Sequence, residues 1–130
     1  MNVVVVDDSR ILRDRAVNLI SELPGVTVIG KAGNAIDAMK VVLKTKPDLV
    51  ILDIRMPGDN GIEVLKKIKS KEPETKVIIF TNFPDKQYKT ESLKAGADYF
   101  FSKSDEVEEL LIAIKMYSSN QDFGVSGGKS

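Results

Sequence analysis

The chain has 130 residues, enough for one domain and too few for two that each bury a good core. Its 19 basic and 19 acidic residues cancel, so no bulk charge draws it to nucleic acid. With no cysteine and no histidine, disulfides, thiolate metal sites, a cysteine nucleophile and every imidazole-based triad are excluded, which leaves carboxylates, hydroxyls, amines, backbone or a hard metal ion for any chemistry.

Met1 and Asn2 lead straight into an apolar run at residues 3–6 and then Asp7 and Asp8. That start lacks the basic segment and longer apolar stretch of a secretory signal, so a cytoplasmic location is expected. No run reaches the roughly 20 apolar residues that cross a bilayer, so no membrane insertion is expected. Residues 3–6 read as a buried strand, and Leu12, Ala16, Leu19, Ile20 and Leu23 then share one helical face. Residues 26–29 form the second strand candidate. Asn34, three residues before Asp37, opens a helix that turns Ala35, Met39, Val42 and Leu43 to one side. Residues 49–52 are the third strand, and Asn60, three before Glu63, opens the next helix. The fourth strand candidate is 77–80. The stretch 85–97 has only Tyr88, Leu93 and small residues to bury, so it is expected to be the weakest and most mobile helix. Residues 99–101 make the fifth strand. Asp105, three before Glu108, precedes a helix that groups Val107, Leu110, Leu111, Ile114 and Tyr117. The domain is expected to span 1–118, with 119–130, which carries Gly124, Gly127 and Gly128, as a flexible tail or linker.

Strands alternating with helices over short connections predict an α/β, doubly wound, mostly parallel sheet. In such sheets ligands bind beyond the carboxyl ends of the strands. Asp7 and Asp8 follow the first strand, Asp53 the third, Thr81 the fourth and Lys103 the fifth. Only the second ends without such a group, in Lys31-Ala32-Gly33, as an edge strand would. Singly each residue has an ordinary reading: helix caps for Asp7 and Asp8, a turn residue for Asp53, a β-branched strand residue for Thr81, a solvated side chain for Lys103. Together they crowd three carboxylates, which raise one another's pKa unless a cation neutralises them. Hard oxygen donors point to Mg²⁺ or Mn²⁺, and the ammonium to phosphoryl transfer onto a carboxylate.

The runs Val3-Val4-Val5-Val6-Asp7-Asp8-Ser9 and Asp48-Leu49-Val50-Ile51-Leu52-Asp53-Ile54-Arg55-Met56-Pro57-Gly58, then Gly61, Thr81 and Gly96-Ala97-Asp98-Tyr99-Phe100-Phe101-Ser102-Lys103, resemble the receiver domain of two-component response regulators over residues 2–118. The resemblance implies a flavodoxin-like five-stranded sheet of order 2-1-3-4-5 and phosphorylation of Asp53 by a histidine kinase or phosphotransfer protein. It implies that Asp8, Asp53 and the backbone carbonyl of Arg55 hold the metal directly, with Asp7 acting through metal-bound water. Lys103 and Thr81 would bind phosphoryl oxygens. Thr81 and Phe100, the latter turning inward, would form a switch on the face of the fourth helix, fifth strand and fifth helix, read by a protein partner or by an effector domain outside this chain. Phe100 also has the plain reading of a core residue.

The chain departs from the family pattern at Asn82, where a small residue is usual, and at Ser104, where proline is frequent. Thr81-Asn82-Phe83-Pro84 is similar to the sequence in some stand-alone receivers. Arg55, Asn82 and Phe83 would border the path to phosphorus, which predicts slow labelling and a long-lived acyl phosphate unless all three simply face solvent. Two other classes stay open. A magnesium-dependent aspartyl-phosphate hydrolase would carry an aspartate two residues after the nucleophile, where this chain has Arg55. A degenerate interaction module would have no use for clustered carboxylates, which are costly to keep. The expected chemistry is self-phosphorylation from a donor and loss of that group, with no nucleic acid bound by this domain.

Overall fold

The structure, a computed structural model, describes residues 1–122. Its elements are β1 (Asn2–Val6), α1 (Arg10–Ser21), β2 (Thr27–Ala32), α2 (Ala35–Thr45), β3 (Leu49–Leu52), the short β4 (Arg55–Met56) and β5 (Asp59–Asn60), α3 (Gly61–Lys71), β6 (Lys76–Thr81), α4 (Lys86–Lys94), β7 (Tyr99–Ser102) and α5 (Val107–Asp122). The main sheet has the order β2-β1-β3-β6-β7 and is parallel throughout, while β4 and β5 pair antiparallel as a separate ribbon. Counted without that ribbon, the five strands run 2-1-3-4-5, the expected flavodoxin-like order, and β2 lies at the edge.

The strands are near-continuously apolar because helices cover both faces. Val4, Val6, Val50, Leu52, Val77, Ile79 and Phe100 pack with Val42, Leu65 and Ile68 of α2 and α3. Val3, Val5, Leu49, Ile51, Ile78 and Phe80 pack with Ala16 and Ile20 of α1 and Leu110 and Ile114 of α5. Burying each such aliphatic side chain is worth roughly 1.5–3 kcal/mol. Leu19 and Leu43 belong to the apolar stripes of α1 and α2, yet both are exposed. The stripe is wider than the strip of sheet each helix covers, and Ile20 and Val42 take the buried places.

Two of the three expected caps form. Asn34 Oδ1 accepts from Asp37 N at 2.8 Å and Asn60 Oδ1 from Ile62 N at 2.9 Å. Asp105 instead lies exposed in the turn before α5. Glu106 stands nearest the helix, its N–H donating to the Ser102 carbonyl and its carboxylate accepting from Ser102 N, both at 2.9 Å. Helix α4 is the poorest, as its sequence suggests: Asp85 makes no side-chain cap bond and Ser92 is its one buried residue. Helix α5 continues four residues past the expected end at 118, and buried Ser118 donates through its hydroxyl to the Pro24 carbonyl at 3.3 Å. The glycine-rich part of the expected tail, 123–130, lies outside the described residues. Among the described residues no helix is long and apolar enough to cross a membrane.

Away from the carboxyl ends of the strands, one Asp98 oxygen accepts from Lys69 Nζ and from Val77 N, each at 2.9 Å, and Lys69 also donates to the Thr75 carbonyl at 2.9 Å. This half-buried cluster ties α3 to the starts of β6 and β7. Asp98→Ala strands an ammonium and an amide, and it is expected to cost about 2–3 kcal/mol in urea unfolding. A loss below a few tenths would show that water replaces the carboxylate.

Candidate functional site

Register places the site. Val6 pairs with Leu52 and Thr81 with Ser102, so the next residues along β1, β3 and β7 emerge together at one rim. Backbone bonds carry the alignment past the strand ends. Asp7 N donates to Ala32 O, Asp53 N to Val6 O, both at 3.0 Å, and Lys103 N to Thr81 O at 2.8 Å. The side chains of Asp7, Asp53, Thr81 and Lys103 thereby converge from four separated segments.

Asp7 is 4% exposed and Asp53 6%, while the Lys103 side chain is only 10% exposed. Its Nζ donates to Asp7 Oδ2 and to Asp53 Oδ2, the latter at 3.1 Å. Lys103 is therefore not a solvated lysine. Asp8 is exposed at the rim, and the carboxylate oxygens of Asp7, Asp8 and Asp53 lie within 4.8 Å of one another. The capping reading of the two N-terminal aspartates fails, because Ser9 caps α1 by accepting from Leu12 N at 3.2 Å. Asp7 Oδ1 instead accepts from Ser9 N at 2.9 Å, which aims its carboxylate across the rim. The role of Ser9 was readable as a serine preceding a helical stripe.

Burial pushes the Asp53 carboxyl above its ordinary value; the Lys103 ammonium opposes this, the Asp7 charge adds to it, and hydrogen bonds from Lys103 and Thr81 oppose it. Lys103 pairs with Asp7 and Asp53, so the three clustered carboxylates outnumber the ammonium among them. Asp8 forms no ion pair within 4.0 Å among the described residues. Hard, anionic oxygen donors at this spacing fit Mg²⁺ or Mn²⁺.

The loop after β3 is shaped by contact with α3. Gly61 N donates to the Ile54 carbonyl at 3.0 Å, and a Cβ on Gly61 would fall 2.4 Å from that oxygen. Glycine is required there by space. The close approach holds the following peptide at the site, where Arg55 N lies 3.4 Å from Asp53 Oδ1. The Arg55 side chain makes no ion pair with Asp53 within 4.0 Å. Its guanidinium carbon sits 4.3 Å from the centre of the Phe83 ring, a cation–π contact that links the loops after β3 and β6. Arg55, Asn82 and Phe83 are all exposed, yet they line a cleft of about 670 Å³ with Asp7, Asp8 and Asp53. Thr81 is fully buried and its Oγ1 accepts from Phe83 N at 3.1 Å. Phe100 is 5% exposed, so its ring already lies inward, packed with Ile79 and the α3 side of the core. Ser104, in the place of a frequent proline, makes a hydroxyl pair with Ser102 at 3.0 Å that steadies the turn after Lys103.

Residues 3–115 match the family model described as response regulator receiver domain. The chain belongs to this family. It is 33% identical over 119 residues to the nitrate/nitrite response regulator protein NarL of Escherichia coli, covering 92% of this chain and 55% of NarL. A two-component response regulator of the LuxR family from Aurantimonas superposes with a TM-score of 0.85 at 30% identity, covering 92% of this chain and 85% of that one. The response regulator domain of Thermotoga maritima CheB gives 0.82 at 31%, covering 92% and 96%. The chain spans about half the length of the curated relatives it matches. As a receiver, it carries in Asp7, Asp8 and Asp53 the acidic cluster through which such domains bind Mg²⁺.

Proposed function

We propose that this receiver accepts a phosphoryl group on Asp53 from a histidine kinase or phosphotransfer protein and changes partner binding in response. The observation that carries this reading is the buried Asp53 carboxylate, which shares the Lys103 ammonium with Asp7 and clusters with the Asp7 and Asp8 carboxylates. An Asp53 oxygen attacks phosphorus, the bond from phosphorus to the donor nitrogen breaks, and the leaving imidazole keeps its electron pair and takes a proton. Asp8 and Asp53, with the Arg55 carbonyl, would hold Mg²⁺ or Mn²⁺, and Asp7 would act through its water. When bound, the ion would supply charge neutralisation at the phosphoryl oxygens. Lys103 moves its contact from carboxylate to phosphoryl oxygen. The Thr81 hydroxyl shifts its donated bond from Asp53 to another phosphoryl oxygen, while its oxygen still accepts from Phe83 N. That pull on the loop after β6, with the Phe100 ring beneath it, is the route to the face of α4, β7 and α5.

A hydrolase lacks support, since Arg55 stands where its second aspartate would be and lies on Phe83. The cytoplasm is the compartment where such a donor and this cysteine-free chain would meet. Output passes to a separate protein or to an effector domain; the match takes up only 55% of NarL. Intact mass after incubation with Mg²⁺ and a small phosphodonor tests the reading. Gain of one phosphoryl group that decays on standing supports it. Steady donor turnover with no retained group would indicate a hydrolase, and no divalent-dependent change an inert module.

Arg55, Asn82 and Phe83 narrow the approach to phosphorus, and none offers an acid to orient an attacking water. Labelling by small donors is therefore slow and the acyl phosphate long-lived. Asn82→Ala is expected to speed labelling and Phe83→Glu to speed loss, each by severalfold, with formation and decay timed separately. Unchanged rates in both variants would show that these side chains do not gate the cleft.

A further inference from the structure

Arg13 is a half-buried cation on α1 that makes no ion pair within 4.0 Å among the described residues. Its Nη1 donates instead to the main-chain carbonyl of Asp7 at 2.7 Å. The neighbouring charges on its helix are engaged elsewhere, Asp14 with Lys31 at 3.6 Å and with Arg10 at 4.0 Å. Nε of Arg13 is buried with no hydrogen-bond partner, an arrangement that costs free energy and calls for a compensating gain. The guanidinium occupies the space left by the missing side chain of Gly33: a Cβ there would lie 2.9 Å from Arg13 Nη1 and 3.7 Å from the Asp7 oxygen. The loop after β2 and the first turns of α1 thus close on one carbonyl.

That carbonyl belongs to the peptide joining Asp7 to Asp8. The N–H of Asp7 is held by Ala32 and its carboxylate by Ser9 and Lys103, so Arg13 fixes the remaining polar group of the residue. Asp8 is exposed and makes no ion pair among the described residues, so the peptide before it fixes where its side chain starts.

We propose that Arg13 is a positioning residue for the divalent cation site, holding the Asp7–Asp8 peptide so that Asp8 stays within reach of an ion shared with Asp53, and that Gly33 is its cradle. The proposal rests on reading the acidic cluster as a cation site. Groups that orient metal ligands from behind typically change affinity by 10- to 100-fold when removed. Gly33→Ala should act in the same direction without removing a charge, because a Cβ 2.9 Å from Nη1 makes the guanidinium shift from its present place against the carbonyl.

Titration calorimetry with Mn²⁺ on the full chain tests this, with wild type and Asp8→Asn as references. Asp8→Asn should bind far more weakly than wild type; equal binding, or none in wild type, would refute the cation site itself and the proposal with it. Given that difference, Arg13→Met should weaken Mn²⁺ about tenfold or more, and Gly33→Ala should weaken it by a smaller factor. Arg13→Lys should recover part of the loss, since an ammonium can donate to the same carbonyl. The labelling deficit of Arg13→Met should vanish at saturating Mg²⁺. Unchanged Mn²⁺ affinity in Arg13→Met would overturn the proposal whatever happens to its melting temperature. If that variant does not fold, unchanged affinity in Gly33→Ala does so alone. A gain of Mn²⁺ affinity in Arg13→Met, which removal of a nearby positive charge alone would give, also overturns it.

Discussion

Asp53→Asn is expected to take up no phosphoryl group from a cognate kinase and, without divalent ion, to be more stable than wild type at neutral pH. The two effects share one cause. Asp53 is a carboxylate kept out of water beside Asp7, and folding raises its pKa above the ordinary 3.8. A group raised on folding contributes stability that is full below the unfolded pKa and is lost as pH rises through the folded value. At neutral pH the ionised Asp53 is thus a burden on the fold that the amide removes, along with the nucleophile. Intact mass after exposure to kinase reads the first effect. Melting in EDTA from acid to neutral pH reads the second: wild type should fall further below the variant as Asp53 ionises. Undiminished labelling of Asp53→Asn would refute the site. A variant less stable than wild type at neutral pH would mean that Lys103 outweighs burial in setting the energy of this carboxylate.

Lys103→Ala should be the most destabilising change at the rim. Lys103 is the ammonium that touches both buried carboxylates, and removing one partner of such a pair costs roughly 3–5 kcal/mol, a large part of the 5–15 kcal/mol typical of a domain. Asp7→Asn placed on that background should recover part of the loss, because it removes the charge left unpaired. Functionally the variant should still form the acyl phosphate, yet bind the downstream partner no better after labelling than before, since Lys103 reads the new group more than it helps to make it. Urea unfolding and partner binding before and after labelling check these outcomes. Equal partner affinity in phosphorylated wild type and variant would sink the second half.

A local pattern suffices to find a strand covered on both faces, so the apolar runs around residues 3–6, 49–52 and 77–80 announce the buried sheet on their own. The residues directly after those runs were legible for a related reason: a parallel sheet collects its carboxyl ends at one edge, which gathers Asp7, Asp8, Asp53, Thr81 and Lys103 whatever the helices do. Cap chemistry was legible where the competing donors lie within one turn, as at Asn34 and Asn60, and not at Asp105, where Glu106 and Ser102 bond to each other first.

What escaped the chain order depends on register and packing between distant segments. Periodicity put Leu19 and Leu43 inward, but how much of a helical stripe the sheet covers is settled only when helix and sheet dock. Residue order placed Arg55 beside the phosphoryl path, yet its choice of the Phe83 ring needs two loops that are 28 positions apart to be brought into contact. The inward ring of Phe100 follows from room beside Ile79 and α3. Arg13 and Gly33 carry no joint signal along the chain, since the carbonyl that unites them belongs to Asp7, and a backbone oxygen has no residue type to read. Side-chain identity and spacing encode short-range preference, whereas contacts to backbone and between loops arise only after long-range strand pairing has set where each segment lies.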